Sequence, residues 1–206
     1  MRRAQTERAH TCDALASAGP DAPTLCEGWT AHDLAAHLWL RENEFINALG
    51  FNVSALADRT NRRVEQLKQQ LQFTELVDLV RAGPPRFSLF GIPALDETGN
   101  GVEYLIHGMD VRRPDGQPEP ERDEEFQQWC WSALERAAKF MLGKSDAGII
   151  LEWEGRPDRS LRAAKGDRIV TVLGEPSELL LYAFGRRSSA DVRLVGLDSA
   201  LAALER

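Results

Sequence analysis

The segment GVEYLIHGMDVRRP, residues 101–114, places a carboxylate, Glu103, and an imidazole, His107, four positions apart in a largely apolar stretch. On a helix, side chains at positions i and i+4 lie on the same face, so these two groups would project together. This is the spacing of a pair of metal ligands, and it is also the spacing of an ordinary surface pair. What the helix face covers decides between the two.

Few imidazoles are available to join this pair, because the chain has only four histidines. His37 and His107 fall on faces that are otherwise apolar, whereas His32 lies in the first turn of a predicted helix. The sequence pattern does not assign His10 to an apolar or a polar face. If the two helices pack side by side in a bundle, His37 meets Glu103 and His107. Two imidazoles and one carboxylate are typical of catalytic zinc, which keeps an open fourth position and deprotonates a bound water or thiol. The alternatives are a solvated Glu-His pair with a core histidine, and a helical domain without metal.

These side chains must be positioned by helices, which the apolar periodicity predicts over most of the first 145 residues. The second predicted helix has Thr30 as N-cap and Asp33 three residues later, a variant of the capping box. The prolines of GPPRFSLFGIP predict a long loop at 83–93. The predicted helices cover residues 3–18, 31–49, 53–71, 74–81, 95–111 and 124–142.

The pattern changes near Gly148. GIILEWEG, DRIVTVLG and ADVRLVG are short and rich in β-branched residues, so they predict strands. Ser177 and Asp198 each stand where an N-cap is expected, before SELLLYAFG and SALAALE. We therefore predict a mainly α protein with a helical bundle at residues 1–145 and a small α+β C-terminal domain at residues 146–206.

Composition narrows the functional classes. The formal net charge is −7 and the pI is about 5.2, and no stretch combines Lys and Arg with aromatic residues, which argues against nucleic-acid binding. No signal peptide or membrane-spanning segment is evident, so we expect a soluble cytoplasmic protein without a membrane partner. Cys12, Cys26 and Cys130 are widely spread and form no C-x-x-C motif, which favours reduced thiols and leaves metal binding to histidine and carboxylate.

Three segments, LCEGWTAHDLAAHLWLRE, EYLIHGMDVRRP and VTVLGEPSELLLYAFGRR, occur in this order along the chain. Together they resemble the actinobacterial DinB-like proteins that share the N-terminal domain of mycothiol-dependent maleylpyruvate isomerase. The resemblance implies a DinB-like four-helix bundle that holds a divalent metal, generally zinc, through His37, Glu103 and His107. This chain has Gly108 where relatives commonly carry a second histidine, and Asp110 is left as an acceptor that could orient a ligand ring.

Further residues are candidates with competing interpretations. Arg112 and Arg113 could bind a substrate or cofactor carboxylate, or they could simply be cations favoured at a helix C-terminus. The resemblance gives Arg186 and Arg187 a similar claim, because the isomerases use residues of the C-terminal domain to close the active site, and a solvated helix end is the alternative. Cys26 could be a reactive thiol near the metal or a small buried hydrophobe.

Two classes of function follow. In the first, the protein is a metal-dependent S-transferase or isomerase that binds a low-molecular-weight thiol, mycothiol by resemblance, and an electrophilic substrate. In the second, it is a non-catalytic protein whose metal is structural and whose C-terminal unit, similar to sterol-carrier modules, binds an apolar ligand. Mixed histidine and carboxylate ligands suit zinc, nickel or manganese, so the ligand types leave the metal open.

Overall fold

A computed structural model of the chain describes residues 2–51, 53–85 and 99–204. The chain divides into two compact units, residues 1–120 and 121–206. The division lies earlier than the predicted one between residues 145 and 146, because the helix Glu124–Leu142 packs with the C-terminal elements. Within the described ranges, no helix has the length and apolar character needed to cross a bilayer.

The N-terminal unit is helical. Its helices are α1 (Arg3–Ala18), α2 (Ala31–Asn43), α3 (Phe45–Ala48), α4 (Ala57–Gln70), α5 (Phe73–Ala82) and α6 (Gly101–Asp115), and two 3₁₀ turns cover Leu49–Phe51 and Ser54–Leu56. The predicted helix 31–49 is interrupted at Glu44, whose backbone leaves the helical region with φ −131° and ψ 61°. Most of the predicted loop 83–93 and the first residues of the helix predicted at 95–111 lie outside the described residues.

The core of this unit is built from the apolar faces that the sequence pattern indicates. α6 packs mainly along α1, and α2 packs against α4 and α5. Leu34 and Leu38 of α2 and Leu76 of α5 are almost completely buried in one apolar cluster. These faces fix α2 and α6, and the side chains of both helices project into the interior between them.

The C-terminal unit combines helices with one small sheet. It contains α7 (Glu124–Leu142), β1 (Gly148–Trp153), β2 (Ser160–Ala164), β3 (Ile169–Gly174), α8 (Pro176–Ala183), β4 (Arg193–Gly196) and α9 (Asp198–Leu204). The strand order is β2-β1-β3-β4, with β1 and β3 parallel and the outer pairs antiparallel. The predicted fold class, mainly α with a small α+β C-terminal part, is confirmed.

Three local features of this unit were predicted wrongly, one of them the Asp198 cap, because α9 begins at Asp198 itself. β2 was missed, because SLRAA lacks the β-branched residues by which the other strands were found. Ser177 does not cap α8: the helix begins at Pro176, and the Ser177 hydroxyl accepts a hydrogen bond from Gln127 Nε2 at 3.2 Å.

Candidate metal centre

The N-terminus of α2 is fixed by a capping box, which sets the position of His37 two turns later. Thr30 N donates to Asp33 Oδ2 at 2.9 Å, and Asp33 N donates to the Thr30 hydroxyl at 3.4 Å. Lys68 of α4 binds the other Asp33 oxygen at 2.5 Å. These contacts confirm the predicted cap and anchor α2 with its His37 face turned toward α6.

The three predicted ligands converge on one point. His37 Nε2 and His107 Nε2 each lie 3.2 Å from the same oxygen, Glu103 Oε1. All three ligand atoms lie within 4.8 Å of one another, and both histidines are buried. Ligand atoms about 2.0–2.1 Å from a tetrahedral zinc are separated by about 3.3 Å, so both Nε2 to Oε1 distances suit that geometry.

Asp110 orients the His107 ring for this arrangement. Its Oδ2 lies 2.8 Å from His107 Nδ1, and its side chain is fully buried. In neutral His107 the proton then resides on Nδ1, so Nε2 presents a lone pair toward Glu103. In the metal-free protein, burial by itself lowers the pKa of His107, but hydrogen bonds with Asp110, Cys26 and Glu103 raise it well above its ordinary value.

A proline places Cys26 beside this pair. Pro114 in the last turn of α6 has no N–H to donate to the Asp110 carbonyl. Leu25 N donates to that carbonyl instead, at 3.0 Å, which ties the segment before α2 to α6. Cys26 Sγ therefore lies 3.2 Å from Asp110 Oδ2 and 4.0 Å from His107 Nδ1. The thiol is on the Nδ1 side of the ring, away from the point where the three ligands meet.

The His37 ring is enclosed by aromatic side chains. Trp29 and Phe51 pack against it with ring centroids 5.2 and 4.4 Å away. Burial lowers the pKa of His37 to about 4, although its hydrogen bond with Glu103 acts in the opposite direction. Among the described residues His37 Nδ1 has no hydrogen-bond partner. The ring is thus held neutral, the state in which an imidazole binds a metal.

Glu103 completes a negatively charged donor set. Burial by itself would raise its pKa, but hydrogen bonds from His107 and His37 hold that pKa well below its usual range. Arg41 Nε, which the sequence analysis did not single out, lies 3.4 Å from the same Oε1. The sequence feature that could have indicated Arg41 was its spacing, since Arg41 follows His37 by one helical turn and therefore lies on the same face of α2. Once His107 gives up the proton that its raised pKa retains, two neutral imidazoles and one ionised carboxylate remain, a donor set that fits a divalent cation such as zinc.

Within the N-terminal unit, the structure brings together His37, Glu103 and His107 but not Arg112. Arg112 is buried against α1, donates to the His10 carbonyl at 3.4 Å and pairs with Glu119 at 2.9 Å, which favours a structural role. Its guanidinium fills the space beside Gly108, where a Cβ would lie 2.8 Å from Nη2. Arg186, in the other unit, donates to the Phe184 carbonyl at 2.8 Å, and its role in cofactor binding stays a prediction.

Comparison with known proteins agrees with the fold described above. Residues 1–88 match the family described as the mycothiol maleylpyruvate isomerase N-terminal domain, which confirms the resemblance. That range includes His37 but neither Glu103 nor His107. A crystal structure of the mycothiol-dependent maleylpyruvate isomerase is similar at 18% identity and a TM-score of 0.54. A histidine-to-alanine mutant of that enzyme is similar at 17% identity and a TM-score of 0.57. Each of the two comparisons covers 96% of this chain and 91% of the other chain. No curated protein sequence matches significantly.

Proposed function

We propose that this chain, whose N-terminal region matches the mycothiol maleylpyruvate isomerase N-terminal domain, is a metal-dependent enzyme that activates a low-molecular-weight thiol. The reaction is an isomerisation or S-transfer on an electrophilic substrate. The observation that carries the proposal is the convergence of His37 Nε2 and His107 Nε2 on Glu103 Oε1, with Asp110 behind His107.

His37, Glu103 and His107 would hold the metal, and each has a distinct supporting environment. Asp110 keeps the proton of His107 on Nδ1, so that Nε2 is a ligand atom. Trp29 and Phe51 surround the His37 ring and exclude water from it. When bound, the metal would supply a Lewis acid that stabilises a thiolate near neutral pH.

Three protein ligands are what a catalytic site requires. The part of the chain that the structure describes adds no fourth Cys, His or carboxylate to the trio, since Cys26 and Asp110 group with His107 on its other nitrogen. A structural zinc site is closed by four protein ligands, whereas a catalytic site keeps one position for an exogenous ligand. The described ligand set therefore supports the enzyme over the non-catalytic alternative.

The thiol and the substrate are inferred from the relatives. The solved structures similar to this chain are of a mycothiol-dependent maleylpyruvate isomerase, so mycothiol is the first thiol to test and maleylpyruvate the first electrophile. The second candidate, an apolar ligand in the C-terminal unit, gains no support from the described cavity there. That cavity, about 450 Å³, is lined mainly by charged side chains such as Arg122, Glu154 and Glu175.

The decisive experiment is metal analysis followed by thiol binding. The purified protein is analysed for zinc, nickel and manganese beside His107→Ala and a control, His10→Ala, whose ring lies outside the trio and pairs with Glu7 at 3.8 Å. We expect about one metal ion per chain in the native protein and the control, and loss of metal in His107→Ala. Mycothiol is then titrated into the metal-loaded protein, and maleylpyruvate turnover is followed.

The outcomes separate the possibilities. Stoichiometric metal with mycothiol binding and turnover supports the enzyme. Metal that binds tightly but never accepts a thiol would favour a structural site. Absence of metal from native protein and control, even after reconstitution, would overturn the proposal and leave a helical domain with a buried Glu-His cluster.

A further inference from the structure

A second group of ligand atoms surrounds the other ring nitrogen of His107. Cys26 Sγ lies 3.2 Å from Asp110 Oδ2 and 4.0 Å from His107 Nδ1, and Asp110 Oδ2 lies 2.8 Å from the same nitrogen. The group shares the His107 ring with the trio of His37, Glu103 and His107 but shares no ligand atom with it, because the trio uses Nε2. The proposed function leaves these three atoms without a task of their own in metal chemistry.

The dimensions of this second group suit a metal ion. The three atoms form a triangle whose centre lies about 2.0 Å from each of them, close to the usual distances from zinc to nitrogen, oxygen and sulfur. Asp110 is completely buried and His107 is more than nine-tenths buried, whereas Cys26 remains partly exposed to solvent. Small shifts of side chains that already contact one another would therefore be enough to enclose an ion.

The donor types favour a thiophilic cation. Thiolate ligands are soft and prefer soft cations, whereas the imidazoles and the carboxylate of the trio suit zinc, nickel or manganese. The thiolate of Cys26 and the carboxylate of Asp110 together carry two negative charges, which match one divalent cation. Binding expels the protons of Sγ and Nδ1, as metal binding to such ligands generally does. The proton that remains on His107 lies on Nε2, where Glu103 Oε1 accepts it at 3.2 Å.

The two sites require opposite tautomers of His107. A neutral imidazole has one nitrogen with a lone pair for a ligand bond, and its other nitrogen carries the proton. A metal held by the trio uses Nε2 and leaves the proton on Nδ1. A cation beside Cys26 uses Nδ1 and leaves the proton on Nε2. An ion at one site therefore weakens the binding of an ion at the other.

We propose that Cys26, His107 and Asp110 form a second metal site, the Cys26 site, which takes a thiophilic divalent cation such as cadmium and excludes metal from the trio. The Cys26 site needs only the contacts among its own three side chains. Its inhibitory effect rests on the proposed function, because it requires that the trio hold a metal that activates a thiol.

The test uses the full-length protein, stripped of metal and titrated with cadmium(II) alone. A thiolate bound to cadmium gives a charge-transfer band in the ultraviolet, which imidazole and carboxylate ligands do not give, so the band reports the Cys26 site and not the trio. The variants are Cys26→Ala and His37→Ala, which remove one ligand from the Cys26 site and one from the trio. The control is Cys12→Ala, which removes a fully buried thiol outside both sites.

We expect native protein, His37→Ala and Cys12→Ala each to bind about one cadmium ion with the charge-transfer band, and Cys26→Ala to show no band. Cys26→Ser serves if Cys26→Ala does not fold. The titration is then repeated on protein loaded with zinc. Zinc should weaken cadmium binding roughly 5- to 150-fold in native protein, the usual range for two coupled sites. The effect should be smaller in His37→Ala, where the trio lacks a ligand.

Other results would overturn the proposal. Absence of the band from native protein, or a band that persists in Cys26→Ala, would mean that Cys26 is not a ligand. A band lost from folded His37→Ala would place Cys26 in the trio and not in a site of its own. Equal cadmium affinity with and without bound zinc in native protein would contradict the exclusion.

Failure of the proposed function gives a different result. In that case native protein binds no zinc through His37 and Glu103, so His37→Ala leaves zinc affinity unchanged while the cadmium band of Cys26 persists. The failure of the catalytic metal centre and the failure of the Cys26 site are therefore distinguishable.

Discussion

Replacing Asp110 by Asn isolates the contribution of one buried charge to metal binding. Asp110 Oδ2 is the atom that faces both His107 Nδ1, at 2.8 Å, and Cys26 Sγ, at 3.2 Å. An Asn carbonyl oxygen in the same place can still accept both hydrogen bonds. The substitution therefore preserves shape and hydrogen bonding while it removes the negative charge that raises the basicity of the ligand ring.

The expected loss follows from the burial of the pair. Removal of a partner of a ligand histidine lowers metal affinity by about 10- to 100-fold, or about 1.4–2.7 kcal/mol. Asp110 is fully buried and its contact with His107 is short, so we expect the upper part of this range. The loss of zinc affinity should be largest at alkaline pH. At lower pH the raised pKa of metal-free His107 makes a proton compete with the metal, and the Asp110→Asn substitution would weaken that competitor as well.

The measurement is competition for zinc between the protein and a chromogenic chelator at several pH values. Asp115→Asn is the control, because Asp115 lies exposed in the last turn of the same helix, where it accepts a hydrogen bond from Gln117. Thermal unfolding of the metal-free variants shows whether each one is folded. An Asp110→Asn affinity within two-fold of the native value at alkaline pH, or an equal loss in Asp115→Asn, would refute this reasoning.

Three further predictions concern stability of the metal-free protein, each checked by urea unfolding. Because burial lowers the pKa of His37 to about 4 against about 6.5 unfolded, the unfolded chain binds more protons between these values. Stability should fall as the pH is lowered through this window, less so in His37→Leu. Glu42→Gln leaves Arg8 buried without the Glu42 carboxylate and should lower the free energy of unfolding by about 3 kcal/mol. The loss should be smaller when Glu42→Gln is combined with Arg8→Met. Gly108→Ala forces a Cβ to within 2.8 Å of Arg112 Nη2 and should cost about 1–3 kcal/mol.

Each of these three stability predictions would be contradicted by a specific result. An equal pH slope in His37→Leu would mean that another group dominates the acid sensitivity. Additive losses at Glu42 and Arg8 would show that the two side chains are not energetically coupled. A neutral Gly108→Ala would mean that the Arg112 guanidinium moves aside freely, and so that its packing against α1 contributes little.

The sequence by itself determined the local features of this protein. The bounds of α1 and α7, the Thr30 cap and the shared face of Glu103 and His107 follow from interactions within a few residues along a helix. Local hydrogen bonding and helical periodicity depend directly on the order of residues along the chain. The prediction of His37 as the third ligand needed more, namely the assumption that two helices face each other, which the resemblance then supported.

Tertiary structure alone decided which distant groups meet. Arg41 reaches Glu103 through packing, Leu25 replaces the hydrogen bond that Pro114 cannot make, and Arg112 turns into the interface with α1. The grouping of α7 with the C-terminal unit is of the same kind. Each depends on the rotation and spacing of whole helices, which many weak apolar contacts set together, and no short stretch of sequence specifies that sum.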